Sequence, residues 1–327
     1  MKLYPLKFKP ILKPVIWGGN AISPFKGITP VQEGIGESWE ISHVKGNVSV
    51  VADGELAGKT LEELIQQDNV AVLGKKVLEQ SGTTFPLLIK FIDARDDLSI
   101  QVHPDDELAK KRHDSFGKTE MWYVVKADSD AKLYSGFKKE ITPEQYVKTV
   151  KDNTFTDTLQ QYDVTPGDVF FLPAGRVHAI GAGCFIAEIQ QTSDITYRIY
   201  DYNRKDAQGN GRELHTELAK EAIDYKVYPE GYKTVYQSQK DKVVQLASCR
   251  YFTTNLIEGG LTITRDFSSV DSFVVYICLE GKLNIKDVNG YTIEVQQGES
   301  VLIPSACKNT IILSTNSHYK ALETFVG

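Results

Sequence analysis

Residues 167–178 read GDVFFLPAGRVH. Val169 to Leu172 is a short apolar run of strand type, and Pro173 and Gly175 turn it at a corner before Val177 and His178 resume. The pattern returns at 298–309 as GESVLIPSACKN, again a Gly followed by five residues and a Pro. Each copy follows a β-rich approach, YDVTP before the first and IEVQQ before the second. Two unrelated hairpins sharing turn chemistry would give the same text. One strand–turn–strand corner used twice predicts instead two barrels of one type, the first carrying a histidine and the second having lost it.

The rest of the chain agrees with a mainly β protein. Leu87–Ile92, Met121–Val125, Phe185–Ile189 and Phe273–Leu279 are further short runs rich in Val, Ile, Phe and Tyr, bounded by Gly, Pro and Asp. Helices are few and peripheral. Thr60 with Glu63 forms a capping box ahead of Leu64 and Ile65, and Thr142 with Gln145 forms another, with Pro143 at the first helical position. A third helix is expected over about 216–223. The polar, tyrosine-rich stretch near 225–242 reads as a connection. The expected division is therefore a catalytic barrel over 1–235 with small helical segments, and a second, metal-free barrel over 236–327.

Composition narrows the function. The chain has 327 residues, 41% of them hydrophobic and 24% charged, and a net charge of −6 with no run of five like charges. That suits a soluble globular protein and argues against binding to a nucleic-acid backbone; there is also no helix-turn-helix candidate. The longest apolar stretch, Ser272 to Leu279, is too short to span a bilayer. The opening MKLYPLKFKPILK lacks the continuous apolar segment of a signal peptide. Four scattered cysteines without a CxxC exclude a zinc ribbon and a disulfide framework. A cytoplasmic protein, monomeric or a weak homo-oligomer, without nucleic-acid or membrane partners, is expected.

Chemistry concentrates at two of the six histidines. In SIQVHPDD (99–106), Gln101 and His103 stand two apart, so on a strand they share a face, inward if Ile100 and Val102 pack outward. A Gln and a His inside a barrel need partners, because a buried polar group left unpaired costs about 1–3 kcal/mol. A metal supplies one; a satisfied core histidine is the other reading. Glu120 opens the apolar run after Gly117-Lys118-Thr119, where a carboxylate is otherwise unwelcome. Gln101, His103, Glu120 and His178 together offer two imidazoles, a carboxylate and an amide oxygen. That set suits Zn²⁺, Fe²⁺ or Mn²⁺ and leaves positions open for water or substrate. One Zn²⁺ per chain is the expected cofactor.

The spacing Gly167-x5-Pro173-x-Gly175-x2-His178 matches the second motif of the cupin superfamily at each defined position. More broadly, the sequence resembles the type I mannose-6-phosphate isomerases (phosphomannose isomerases), which are zinc-dependent double-cupin enzymes. The segments that carry the resemblance are Trp17-Gly18-Gly19, GESWEIS (36–42), LLIKFIDARDDLSIQVHPDD (87–106), GKTEMW (117–122), PAGRVHA (173–179) and EIQQTSDITYR (188–198). It runs to about Tyr202 and continues weakly through the C-terminal part, and the chain lacks the long helical insertion of larger relatives. The resemblance implies a double cupin with Gln101, His103, Glu120 and His178 as zinc ligands and Arg198 as the catalytic arginine. Lys90, Ser99 and Lys118 match positions lining the sugar-phosphate pocket, Glu188 matches a pocket carboxylate, and Trp17 and Glu37 fall in motifs near its mouth.

The residues themselves are compatible with these roles. Arg198 either pairs with a structural carboxylate, such as Glu188, or faces an anionic ligand. Lys90 and Ser99 are suited to phosphate, as a point charge and a hydroxyl donor. Desolvation would raise the pKa of Glu188 and suit it to shuttle a proton, with Lys118 or a zinc-associated group as the alternative base. The expected function is reversible interconversion of D-mannose 6-phosphate and D-fructose 6-phosphate through an enediol(ate). Another metal-cupin enzyme acting on a different sugar phosphate, and a non-catalytic sugar-binding cupin, are the competing readings.

Overall fold

The computed structural model describes residues 2–205 and 208–327. The protein is mainly β. A five-stranded and a six-stranded antiparallel sheet make the first barrel, and a nine-stranded sheet makes the second. The five-stranded sheet runs in the order Leu159–Asp163, Lys132–Phe137, His178–Ile180, Ile100–Val102, Tyr197–Tyr200. The six-stranded sheet runs Val169–Leu172, Glu120–Ala127, Cys184–Gln191, Leu87–Ala94, Ile11–Gly19, Ile35–Ile41.

The corner at 167–178 and its echo at 298–309 share their first half and differ in the second. Gly167 (φ +94°) and Gly298 (φ +80°) both take the left-handed conformation that a side chain disfavours, and a buried strand follows each. The first corner then turns through Gly175, at φ +89°, into the strand that begins with His178. The second turns through a short 3₁₀ segment, Ser305–Cys307, with Asn309 beyond it.

Strands Leu87–Ala94 and Cys184–Gln191 are buried at every position, which explains why they read as continuous apolar runs instead of alternating ones. Their two faces meet different neighbours. Leu87, Ile89, Phe91, Ala187 and Ile189 join a core shared with Val274, Ile277 and Leu322 of the second barrel. Ile92, Cys184 and Ile186 point the other way, into the first barrel with Trp122, Leu133 and Leu172. The even positions on these strands, Lys90 and Glu188 among them, are thus delivered to the barrel interior by the two-residue repeat. On the opposite sheet, Ile100 and Val102 pack outward against Phe137, Tyr146 and Ala219, beneath the helices Pro143–Lys151 and Thr216–Ala222. Gln101 is therefore left facing inward.

Both expected capping boxes are present, Thr60 with Glu63 and Thr142 with Gln145. The stretch 225–242 has no strand or helix before Lys242, but it is anchored: Tyr228 and Tyr232 pack on the Arg176 guanidinium at 5.1 and 4.6 Å. The first strand, Leu6–Lys7, crosses the expected division near 235 and pairs with Ser300–Ile303 of the second sheet.

Inside the second barrel lies a satisfied polar cluster. Arg265 donates to both oxygens of the fully buried Glu323, at 2.9 and 2.8 Å, and Tyr276 and Asn255 complete its hydrogen bonds. Removing one member of a buried pair leaves an uncompensated charge. Glu323→Leu should therefore destabilise the protein by about 3–5 kcal/mol in denaturant titration while leaving metal content and turnover per folded molecule unchanged. A smaller loss would mean that Arg265 finds solvent.

Candidate active site

The two sheets of the first barrel face each other across a cavity of about 380 Å³. The five-stranded sheet contributes Gln101, His178 and Arg198 from strands, and His103 just beyond one. The six-stranded sheet contributes Glu37, Lys90, Glu120 and Glu188, with Lys118 at its approach. Register brings the set together. His178 lies opposite Gln101, and Gln101 lies opposite Arg198 on its other side. Glu120 lies opposite Gln190, and Lys90 opposite Glu188.

At the floor, His178 Nε2 is 3.2 Å from Glu120 Oε1, and His103 Nε2 is 3.6 Å from Glu120 Oε2. The candidate ligand atoms of these three residues all lie within 4.8 Å of one another. Each imidazole uses its other nitrogen on a backbone carbonyl: His103 Nδ1 with Ile195 O at 2.9 Å, and His178 Nδ1 with Arg176 O at 2.8 Å. Those carbonyls accept, so Nδ1 carries the proton and Nε2 presents a lone pair toward Glu120. Burial pushes the His178 pKa down to about 4; burial, helped by Lys118 and His178, holds His103 well below its ordinary value. Both rings are neutral near pH 7. His103 Nε2 and both Glu120 oxygens are buried with no hydrogen-bond partner among the described residues. Such orphaned atoms are costly unless something binds them, and three acceptors converging on one point fit a cation. Gln101 completes the ring, its amide 3.4 Å from His178 Nε2. Burial and the nearby Glu188 raise the Glu120 pKa to about 8, a cost that a bound dication would remove.

Above this floor the charges are paired. Lys90 Nζ lies 3.0 Å from Glu188 Oε2, 3.7 Å from Glu37 Oε2 and 5.2 Å from the centre of the Trp39 ring. Burial works against the Lys90 charge, but Glu188 and Glu37 outweigh it and keep the ammonium protonated. Glu188 also accepts from Trp122 Nε1 at 2.8 Å. The sequence expectation that desolvation would raise the Glu188 pKa is corrected here. Burial does act in that direction, but Lys90, Lys118 and the Trp122 hydrogen bond overcome it and draw the carboxyl down to about 2. Its ion-pair partner is Lys90; Arg198 is not engaged with it. Lys90 in turn reaches the pocket with its charge already shared between two carboxylates.

Arg198 has no carboxylate within ion-pair distance among the described residues. Its Nη1 donates to Glu213 O at 3.0 Å, and its Nε is buried without a hydrogen-bond partner among the described residues. Next to it at the rim is Arg212, which the sequence reading passed over. Asp201 accepts from both Arg212 and Arg204, so two guanidiniums share one carboxylate while Arg198 stands beside them outside that pairing. Burial, followed by the charge of Arg212, lowers the Arg198 pKa. Arg212 sits outside the motif segments, and nothing in its local pattern marks it. Ser99, Trp17 and Glu37 line the cavity as expected, with Trp39, Trp122, Asp194 and Thr196 beside them. Trp17 serves the interior core as well.

The family profile of the catalytic domain of type I phosphomannose isomerase matches residues 6–123. The mannose-6-phosphate isomerase ManA of Bacillus subtilis is 36% identical over 93% of this chain and 94% of its own length. The mannose-6-phosphate isomerase of Streptococcus mutans is 31% identical over 93% and 94%. A crystal structure of the Bacillus subtilis mannose 6-phosphate isomerase superposes with a TM-score of 0.85 at 29% identity, covering 98% of this chain and 99% of that one. With sequence likeness across nearly the whole length and the barrel-floor geometry in the same chain, the protein belongs to the type I phosphomannose isomerase family.

Proposed function

We propose that the chain interconverts D-mannose 6-phosphate and D-fructose 6-phosphate through an enediol(ate), with one Zn²⁺ held by His103, His178, Glu120 and Gln101. The observation that carries this reading is the set of partnerless buried acceptors, His103 Nε2 and the two Glu120 oxygens, beneath a rim with more cationic than anionic groups. A bound Zn²⁺ would supply Lewis-acid polarisation of the substrate carbonyl.

The chain's own residues do the rest. The arginine excess at the rim, Arg198 and Arg212 with Arg204 behind them, suits a phosphate-bearing sugar and gives remote binding energy for orienting C1 and C2. Lys90 and Ser99 line the wall and contact the sugar. Glu188, held ionised by Lys90 and Trp122, is a poor proton acceptor near pH 7. It fixes Lys90 and Trp122 in place and adds negative charge opposite Arg198. Lys118, 3.6 Å from Glu120 Oε2 and lining the cavity, is then the group left to move protons between the substrate oxygens and carbons. Arg198 stabilises the anionic intermediate. Residues 1–235 hold this machinery. Residues 236–327, with Asn309 at the corner and Glu323 satisfied by Arg265, make up a barrel without a metal site.

A coupled assay tests the reading. The purified protein should convert mannose 6-phosphate to fructose 6-phosphate, lose that activity on chelation and regain it with Zn²⁺, and turn over free mannose poorly. Full activity after exhaustive chelation, or equal use of free mannose, would overturn it.

A further inference from the structure

Lys118 reaches the cavity from Gly117–Thr119, a segment with neither helix nor strand of its own, and Glu120 follows it as the first residue of the strand Glu120–Ala127. The segment's position must come from bonds to other parts of the chain. Gly117 N–H donates to Asp106 Oδ1 at 2.9 Å, Lys118 N–H to Pro104 O at 3.1 Å, and Thr119 N–H to Gln191 Oε1 at 2.8 Å. Gln191 returns its own N–H to Thr119 O at 3.0 Å, and its Nε2 donates to Asp106 Oδ1 at 2.9 Å. Gly117 lies so close to Asp105 and Asp106 that a Cβ would meet their backbone at 2.6 Å. Asp106 is the hub of this arrangement, and its other oxygen is held from outside the catalytic barrel. Tyr251 OH donates to Asp106 Oδ2 at 2.7 Å, across 145 residues of sequence, with Arg250 Nη2 3.8 Å from the same oxygen. Tyr251 sits in the turn between Lys242–Ser248 and Thr253–Gly259 of the second barrel. A cleft of about 350 Å³ opens beside this contact.

We propose that Tyr251 is a positioning residue for the metal centre: acting through Asp106 and Gln191, the second barrel fixes Gly117–Thr119 and thereby sets where Glu120 and Lys118 stand. The proposal rests on the reading of the cavity as a metal-dependent isomerase site. It gives the second barrel a part in the reaction although none of its groups lines the cavity. Asp106 is suited to the role because a carboxylate accepts from several donors at once, so the phenol, the amide and the backbone N–H are tied to one rigid group.

The test uses the full chain with Co²⁺ as the probe. Tyr251→Phe removes one hydroxyl. Asp106→Asn keeps the shape but loses an acceptor. In both variants Co²⁺ affinity, measured by chelator competition, should fall by about tenfold, the low end of what outer partners of a metal ligand contribute. The visible spectrum of the Co²⁺ form should shift, and kcat should fall with KM for mannose 6-phosphate nearly constant. Arg250→Ala should retain parental values. The double variant should be no worse than Asp106→Asn alone, because the two residues act in series. Parental affinity, spectrum and kcat in Tyr251→Phe would overturn the proposal, even if its melting temperature fell, since Tyr251 would then only dock the barrels. Additive losses in the double variant would overturn it too. Failure of the underlying reading shows earlier and separately, as a parent protein that neither binds Co²⁺ stoichiometrically nor turns over mannose 6-phosphate.

Discussion

His103→Ala and His178→Ala should each lose bound metal and isomerase activity together. The two rings are locked by backbone carbonyls with Nε2 facing Glu120, so each variant deletes one of three converging donors. Removing an outer partner of a metal ligand already costs roughly 10–100-fold in affinity or activity; removing the ligand itself should exceed that range. Each variant also gives up an Nδ1–H bond to a backbone carbonyl, which costs the apo protein about 1–3 kcal/mol, so apo stability is not the readout for the metal. The parent should instead melt at a higher temperature when Zn²⁺ is added, since a ligand that binds only the folded state stabilises it, and this increase should vanish in both variants. Gln101→Ala should be milder, as a neutral amide contributes less to a dication than an imidazole or carboxylate does. Stoichiometric metal with normal turnover in either histidine variant would remove the assignment. Mass-spectrometric metal content and kinetics on one preparation give the answer.

How much of this was legible depended on what each residue needed from its neighbours. The strands were readable because burial on two faces demands apolar runs, as in Leu87–Ala94, and the corners because left-handed Gly167 and Gly298 punctuate them. The capped helices at Thr60 and Thr142 announced themselves through side chains three residues apart. The short helices Asn69–Leu73 and Lys75–Ser81 did not: they span too few residues to show a periodicity, and their Val72, Leu73 and Val77 are held by tertiary packing. The ligand set was legible because a polar residue inside an apolar strand stands out. Charge pairing was less so. That Glu188 would be drawn down by Lys90, and not raised by burial, follows from a cross-strand register that no local pattern encodes. Arg212 is harder still, since its meaning lies in Asp201 and Arg198, brought alongside by a loop.

Arg198→Lys should lower kcat by roughly 10²–10³, the usual effect of removing one well-placed electrostatic donor from a catalytic site, with KM for mannose 6-phosphate changing little. The structure makes the substitution a clean one. Arg198 has no carboxylate partner among the described residues, and its backbone is held at both ends by His215, its N–H donating to the ring Nδ1 and its carbonyl accepting from His215 N–H, so the change leaves no buried charge unpaired and no strand unanchored. Lysine keeps the positive charge at the rim, so the substrate phosphate still meets the same net charge with Arg212 unchanged. What lysine lacks is the planar fork. Guanidinium presents two parallel N–H groups to adjacent oxygens of an enediolate, whereas an ammonium on a differently shaped stem addresses one at a time. That difference matters most where negative charge has developed, in the transition state, and so appears in kcat. Metal content should be parental, which separates this variant from the histidine ones. A purely structural Arg198 would give the opposite record, a lowered melting temperature with near-parental kcat per folded molecule, and that result would end the catalytic assignment.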